Sequence, residues 1–252
     1  KYSQNHITSL TFTLDHYYNY CWMEYPNLKP NLRRKKYKKK AIPFSLANSA
    51  YRKILNTINK LISMICQVLS SNSSLTTLKF RSIIFSPKDK EQLINSLNSN
   101  TTLRKLYFEN INLNDESFTM LMKSIKHPGI TSIECRQCGL TDLSIPPIKD
   151  YLNYHRMIQL KAEKDNDHYL RSVCLHSLDF RDNSFSTRLI AEISDILADI
   201  PLYLIDLRNN LEFDERFLSN MRRSAPHVEI RTGIDRSSIK SKSKKDENSK
   251  ST

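Results

Sequence analysis

Glycine is scarce in this sequence, with three residues among 252: Gly129, Gly139 and Gly233. Because they are isolated, neither the P-loop nor the dinucleotide-binding glycine pattern can be written with them. This excludes P-loop nucleotide hydrolases and Rossmann enzymes. The chain also lacks any run of about eighteen apolar residues, so we expect no transmembrane segment. Because it begins with Lys1 and not with methionine, we expect it to be part of a longer polypeptide.

Cysteine is sparse and odd in number, with five residues. A disulfide-stapled secreted domain is therefore disfavoured, and we expect a reducing, cytoplasmic compartment. The seven histidines are scattered, form no HExxH motif and accompany no candidate nucleophile. Carboxylates lie mostly on predicted helix surfaces, where solvated charge is the usual state. We therefore expect neither enzymatic activity nor a bound cofactor.

The net charge of +13 is unevenly placed. Residues 1–88 hold fifteen Lys/Arg against two Asp/Glu, residues 89–230 hold seventeen against twenty-one, and residues 231–252 hold seven against three. The chain therefore has a basic N-terminal third, a mildly acidic middle and a basic tail. A partner selected by charge would meet the N-terminal third.

A leucine-rich pattern recurs through the middle of the chain. Five segments match LxxLxLxx(N/C)xL, the signature of leucine-rich repeats, and they begin at Leu75, Leu103, Ile130, Leu175 and Leu202. Their starts lie 28, 27, 45 and 27 residues apart. One match would be weak, but five matches in near-constant phase predict a repeat protein.

The second half of each unit predicts a helix. Apolar pairs at i and i+4 follow the first four starts by eighteen and twenty-two residues, as with Leu93 and Leu97. Ser86-Pro87 resembles a capped helix start. A short strand and a helix in about 28 residues predict an α/β fold, a ribonuclease-inhibitor-like leucine-rich-repeat solenoid. Its parallel strands would lie on the concave face and its helices on the convex face.

The pattern predicts one leucine-rich-repeat domain over residues 1–234. Its parts are a first repeat strand at about 7–12, a basic insertion at 26–43, a helix at 44–70 and continuous repeats at 75–231. Residues 235–252 are expected to form a disordered basic tail. The 45-residue spacing places a charged extension at about 154–169, for which we expect either a continued helix or a projecting loop.

Several runs carry a resemblance to a known family. They are RRKKYKKKAIPFSLANSAYRKIL before the repeats, IECRQCGLTDL in the third repeat, YLNYHRMIQL in the extension and LIDLRNN in the last repeat. In these runs and their order the chain resembles the N-terminal domain of the centrosomal protein of 78 kDa family, leucine-rich-repeat proteins of centrioles and basal bodies. The resemblance implies a non-catalytic scaffold for protein–protein interaction in the cytoskeleton. It places that scaffold at the centrosome, centriole or ciliary basal body, with a role in centriole and cilium assembly.

Two other classes stay open on the sequence alone. One is a ribonuclease-inhibitor-like adaptor of another kind, either actin-capping or associated with a ubiquitin ligase. The other is a GTPase-activating leucine-rich-repeat protein. That family ends in a strongly acidic tail, whereas this chain ends in a basic one. A GTPase-stimulation assay separates this class from the scaffold.

Cys135 and Cys138 have the CxxC spacing of a redox or zinc site. In the repeat register, Cys135 takes the inward strand position of Phe80 and Phe108, and Cys138 takes the asparagine position of the motif. Both positions are expected to be buried, where free cysteine packs as a small hydrophobe. With no second CxxC and no histidine pair at finger spacing, a structural role is favoured over a metal site.

The densest basic run is one candidate site for a protein partner. It consists of Arg33, Arg34, Lys35, Lys36, Lys38, Lys39 and Lys40. An acidic protein surface, anionic lipid, a nuclear-import receptor and plain solvation all fit such a run. No specific nucleic acid is expected.

The outward strand positions form the second candidate site. An acidic column of Glu134, Asp179, Asp206 and Glu229 is predicted to lie beside an arginine column of Arg136, Arg181, Arg208 and Arg231. Like charges stack along each column, and only pairing between the columns offsets their repulsion. Two interpretations fit: a charge ladder that neutralises itself, or an arginine array that binds a partner's carboxylates or a peptide.

Overall fold

The computed structural model describes residues 8–13, 44–126 and 129–233. Within these ranges, seven parallel strands form one sheet and follow one another in chain order. Their bounds are Ser9–Thr13 (β1), Thr77–Arg81 (β2), Lys105–Glu109 (β3), Ser132–Arg136 (β4), Ser177–Asp179 (β5), Leu204–Asp206 (β6) and Glu229–Arg231 (β7). The predicted α/β class is confirmed, because helices alternate with the parallel strands.

The helices that follow the strands form a second layer. Their bounds are Phe44–Ser71 (α1), Pro87–Ser99 (α2), Asn114–Ser124 (α3), Ile145–Lys164 (α4), His168–Ser172 (α5), Thr187–Leu197 (α6) and Glu215–Ser224 (α7), with a short 3-10 helix at Asp142–Ser144. Helices of successive units pack side by side, as consecutive strands do, and α6 packs against α4 across the short α5. Each strand–helix unit therefore stacks on the unit before it.

Apolar side chains between the two layers form the core. Leu78, Leu106 and Ile133 pair in one row across β2, β3 and β4, and all three are fully buried. In the next inward row, the rings of Phe80 and Phe108 stack with their centroids 5.7 Å apart. The predicted i, i+4 pairs of the helices are buried in the same cluster. Apolar residues recur at every second position in the strands and at the helical period in the helices. Both sets of side chains therefore point into the single core between the sheet and the helices.

Polar side chains fix where the helices begin. At the start of α2, Ser86 Oγ accepts a hydrogen bond from the Asp89 N–H at 3.2 Å, and Asp89 Oδ2 accepts one from the Ser86 N–H at 3.0 Å. This is a capping box, and Pro87 occupies the first turn, where a missing N–H costs nothing. At α6, Ser186 caps the helix in the same position. The start predicted from Ser86-Pro87 is therefore observed.

Two asparagines join neighbouring units. Asn183 Nδ2 donates to the Cys135 carbonyl at 2.7 Å, and Asn183 Oδ1 accepts from the Cys138 N–H at 3.0 Å. Asn210 acts in the same way one unit later, where its Oδ1 accepts from the Phe185 N–H at 2.9 Å. Each amide satisfies backbone groups of the preceding unit in the turn that follows its strand.

The turn after each of five strands contains one non-glycine residue in the left-handed region. The φ values are 59° for Ser82, 56° for Asn110, 51° for Gln137, 58° for Asp182 and 59° for Asn209. Asn and Asp adopt this region more readily than most other non-glycine residues. Three of the five are Asn or Asp, and all five are polar, so a chain with few glycines makes these turns with polar side chains. The sequence analysis did not identify this constraint.

The 45-residue unit contains an extended helix. Of the two expectations for this stretch, the continued helix is observed, because α4 runs to Lys164 before α5 leads into the next strand. His155 is buried on α4, and its Nδ1 accepts a hydrogen bond from the Leu175 N–H at 3.1 Å. This bond ties the extension to the residues that precede β5.

The register of β7 differs from the predicted one. The charge columns predicted from the sequence place Glu229 beside Asp206 and Arg231 beside Arg208. In the structure, Asp206 pairs with Arg231 instead, so that β7 is shifted by two residues. A shift of two keeps every side chain on the same face of the sheet and leaves the apolar pattern unchanged. The acidic column therefore ends at Asp206, and the prediction for the last strand is wrong.

Two further elements lie close to their predicted bounds. The first strand, expected at about 7–12, is observed at Ser9–Thr13, and the helix expected at 44–70 is observed at Phe44–Ser71. The basic insertion at 26–43 and the tail at 235–252 lie outside the described residues.

Candidate protein-interaction surface

One face of the sheet packs against the helices, and the opposite face, here called the open face, carries the charged strand positions. Side chains alternate between the two faces along each strand. One row on the open face, in strand order, consists of Thr11, Lys79, Tyr107, Glu134, Asp179 and Asp206. Beside it, two residues further along each strand, lie Thr13, Arg81, Glu109, Arg136, Arg181 and Arg208.

Six of these side chains form a continuous series of ion pairs, here called the ionic ladder. Its members are Glu134, Arg136, Asp179, Arg181, Asp206 and Arg208. Arg136 Nη2 lies 2.9 Å from Glu134 Oε2, and Arg136 Nε lies 2.7 Å from Asp179 Oδ2. Arg181 contacts Asp179 Oδ2 through Nη2 at 2.7 Å and Asp206 Oδ2 through Nε at 3.4 Å. Arg208 Nη2 lies 2.6 Å from Asp206 Oδ2.

The two aspartates of the ionic ladder are the most deeply buried charges on the open face. Asp206 is 2% exposed, whereas the side chains of Arg181 and Arg208 are 13% and 23% exposed. Buried carboxylates need charged or hydrogen-bonding partners. Asp179 and Asp206 also accept bonds from the backbone N–H of the arginine two residues later, at 3.1 and 3.2 Å. The cross-column pairing that offsets like charge is therefore present, and contact of these arginines with a partner stays a prediction.

The middle of the open face is partly shielded from water. Burial raises the pKa of the Glu134 carboxyl, although the Arg136 guanidinium opposes this shift. Burial also raises the pKa of the neighbouring Tyr107 phenol, and the Glu134 charge adds to that shift. A group of a partner that reaches this row therefore meets side chains that have already lost part of their hydration.

Arg231 is not a member of the ionic ladder. Its Nε lies 2.8 Å from Glu229 Oε1 on the same short strand, and both side chains are exposed. This pairing lowers the pKa of the Glu229 carboxyl and raises the pKa of Arg231. Three of the four arginines predicted to line the surface are thus joined in one series, and the fourth is paired separately.

Cys135 and Cys138 are buried at the two positions that the repeat register predicts. Neither side chain is exposed, and burial raises the pKa of the Cys135 thiol well above its usual range. The Cys138 sulfur lies 3.3 Å from the Arg136 carbonyl oxygen and 3.5 Å from the Phe108 carbonyl oxygen, within reach of a thiol hydrogen bond. A buried thiol with a raised pKa is a weak nucleophile and a weak metal ligand.

We expect the double substitution Cys135→Ser with Cys138→Ser to destabilise the protein by about 1–3 kcal/mol, because it buries hydroxyl groups where sulfur packs against apolar neighbours. Chemical denaturation of both proteins measures this loss. Metal analysis of the purified unsubstituted protein is the companion measurement, and zinc present in a one-to-one ratio would contradict the structural interpretation.

The second predicted surface, the basic run from Arg33 to Lys40, lies outside the described residues. Its role in partner binding therefore stays a prediction from the sequence. The open face is the candidate surface whose geometry is described.

Sequence reasoning found the charged columns but missed three features of the open face. The first is which carboxylate each arginine contacts: each one pairs with the acid two residues before it, as the repeated acid-x-Arg tripeptides at 134–136, 179–181 and 206–208 signal. The second is a polar contact along the rim, where Asn209 Nδ2 donates to Asp182 Oδ1 at 2.9 Å. The third is an aromatic pair, His176 and Tyr203, whose ring centroids lie 6.0 Å apart. No periodic pattern signals the last two.

Comparison of the chain with protein-family models found no match, and comparison with curated proteins found none either. Among the described residues, no helix is both long enough and apolar enough to cross a membrane. The same part of the chain holds no group of three or more His, Cys, Asp or Glu side chains placed to hold a metal ion.

Proposed function

We propose that the chain is a leucine-rich-repeat solenoid of the ribonuclease-inhibitor type. The repeat motif supports this, because its first, fourth and sixth positions fall on buried core residues in each of the five matches. The amides of Asn183 and Asn210 support it further, because they bond the backbone of the preceding unit. In this fold the open face is the concave surface and the helix layer is the convex surface.

We further propose that the protein is a non-catalytic scaffold whose open face binds a protein partner. The observation that carries this proposal is the ordered row of charged side chains on a sheet of seven parallel strands. At the usual strand spacing and rise, this surface measures roughly 29 Å by 17 Å. Its area is a large part of the area that one partner contributes to a protein–protein interface of standard size. Because the side chains are held in place before binding, little ordering entropy opposes association.

The cellular part of the proposal places this scaffold in the cytoskeleton, at the centrosome, centriole or ciliary basal body, where it takes part in centriole and cilium assembly. The four sequence runs that resemble the centrosomal protein of 78 kDa family support it. Two of those runs supply members of the ionic ladder: IECRQCGLTDL contains Glu134 and Arg136, and LIDLRNN contains Asp206 and Arg208. The runs behind the resemblance thus overlap the proposed binding surface.

Localisation of the tagged full-length protein in dividing and ciliated cells tests the proposal. We expect signal at centrioles or basal bodies, and we expect the double variant Arg208→Gln with Arg231→Gln to lose most of it. Both arginines are partly exposed on the open face, and glutamine can still donate to the neighbouring carboxylate. Charge reversal of Arg181 and Arg208 is less informative, because it would place new carboxylates beside buried Asp179 and Asp206.

The matched control is Arg216→Gln with Arg222→Gln, which removes the same charge from exposed positions on α7. Circular dichroism checks that both variants are folded. Neutralising Lys35, Lys36, Lys38 and Lys39 is expected to weaken recruitment gradually and to reduce its salt dependence, since a dense basic run mainly speeds encounter. Normal localisation of the open-face variant, with loss in the lysine variant, would move the binding site to the basic run.

A further inference from the structure

Charge is balanced on one part of the open face and unbalanced on another. Strands β4 to β6 contribute three acidic and three arginine side chains to the ionic ladder, so this part is neutral. Strands β2 and β3 present Lys79, Arg81 and Lys105 toward the same side, with Glu109 as the one carboxylate among their open-face positions. This part therefore carries a net charge of +2.

The pairing of these cations is weaker than the pairing in the ionic ladder. Lys79 Nζ lies 3.6 Å from Glu109 Oε2, and Arg81 Nε lies 3.4 Å from Glu109 Oε1, so that two cations share one carboxylate. Their side chains are 33% and 49% exposed, well above the exposure of Arg181 and Arg208. Lys105 is exposed and has no ion pair among the described residues.

Small hydroxyl side chains adjoin the cations on β1. Thr11 pairs in register with Lys79, and Thr13 pairs with Arg81. Ser9, Thr11 and Thr13 are all exposed, so their hydroxyl groups are free of steric cover from the described part of the chain. Hydroxyl groups donate hydrogen bonds to carboxylate oxygens, and their small size means that the strand β1 itself does not cover the two cations.

An aromatic ring borders the same area on β3. Lys79 Nζ lies 5.7 Å from the centroid of the Tyr107 ring, within the range of a cation–π contact. This contact holds the ammonium group against the sheet. An incoming carboxylate therefore meets a cation whose position is already restricted, with a half-buried ring beside it.

We infer that the β1–β3 end of the open face, formed by Ser9, Thr11, Thr13, Lys79, Arg81 and Lys105, docks an acidic segment of the partner polypeptide. The inference rests on the proposed function and adds the chemistry of the partner. Charge complementarity decides the occupant: the surplus of two positive charges needs two carboxylates, and the hydroxyl row supplies additional donors. A nucleic acid is the competing class of anionic partner, and the experiment below includes it as a separate probe.

The experiment uses the full chain and a fluorescein-labelled peptide of alternating Glu and Ser, read by fluorescence anisotropy at low salt. A peptide with Gln in place of Glu is the probe control, and a single-stranded RNA oligonucleotide is the competing class. We expect the Glu peptide to bind and to be released by salt, and the Gln peptide not to bind. The double variant Lys79→Gln with Arg81→Gln should weaken binding about tenfold, the effect of removing two exposed charge contacts.

The matched variant Lys88→Gln with Lys123→Gln removes two exposed lysines from α2 and α3 and should leave binding unchanged. Equal losses in the two variants, no binding of the Glu peptide, or preferential binding of the RNA would each overturn the inference. If the peptide does not bind while the Arg208/Arg231 variant still loses localisation, the inference of an acidic segment is wrong and the proposed function of the open face stands. If localisation also survives that variant, the proposed function of the open face is wrong.

Discussion

Replacement of Leu106 or Leu178 by alanine is expected to lower the free energy of unfolding by about 2–5 kcal/mol. Both leucines occupy the inward strand position of the repeat, both are fully buried, and each faces a leucine or isoleucine of both neighbouring strands. The cavity that alanine leaves is therefore lined by three units at once. Urea denaturation followed by circular dichroism measures the loss.

The control for this prediction is Lys105→Ala, one residue before Leu106. Lys105 points from the open face and is exposed, so its truncation removes little buried contact. We expect a change close to zero in the same assay. Similar losses at positions 105 and 106 would show that the assignment of strand faces is incorrect.

The second large effect is expected from Asp206→Asn. The carboxylate of Asp206 lies 2.6 Å from Arg208 Nη2 and 3.4 Å from Arg181 Nε, so one substitution removes the charge that two arginines share. Loss of one partner of a buried ion pair is strongly destabilising, and we expect a loss of about 3 kcal/mol. Denaturation at low and at high salt measures it, and the loss should persist in salt because the site is buried.

The matched control is Asp214→Asn. Asp214 lies 2.8 Å from Arg216 in a pair that is exposed to solvent, and it also caps α7. Asparagine is an equally good N-cap, so this substitution removes an exposed ion pair and leaves the helix start intact. We expect no measurable change in stability. If Asp206→Asn also leaves stability unchanged, the ionic ladder does not contribute to the stability of the protein.

The start of each strand–helix unit was predictable because burial imposes one apolar period on the strands and another on the helices of the same chain. Inward strand residues such as Leu78 and Phe80 and the helix pair Leu93 and Leu97 must all reach one core, and only one phase allows this. Those positions are therefore readable from a single sequence. The capped start at Ser86 is readable for a similar reason, because its partner Asp89 lies three residues away in the chain.

The register of β7 was not predictable from the same pattern. Val228 and Ile230 both fit the inward position opposite Ile205, and a shift of two residues keeps the same face toward the core. The structure pairs Ile230 with Ile205. Backbone hydrogen bonds select between these registers, and they leave no mark in the apolar pattern.

The ionic ladder was predictable in part. The columns follow from strand alternation, so Asp179 and Arg181 were expected on one surface. Which carboxylate each arginine contacts depends on side-chain rotamers, and Arg136 uses different guanidinium nitrogens for Glu134 and Asp179. The left-handed turn at Asp182 was missed for a related reason, because short polar residues in turns have many other uses.

The ionic ladder also bears on how the molecule opens. Asp179 is held by arginines of its own unit and of the preceding one, and the same is true of Asp206. If the unit that contains β5 unfolds, Arg136 loses a partner on one side and Asp206 loses one on the other. Local unfolding of this unit therefore costs free energy through lost ion pairs in both adjacent units. From nearest-neighbour coupling of this kind we expect the units of β4, β5 and β6 to unfold together.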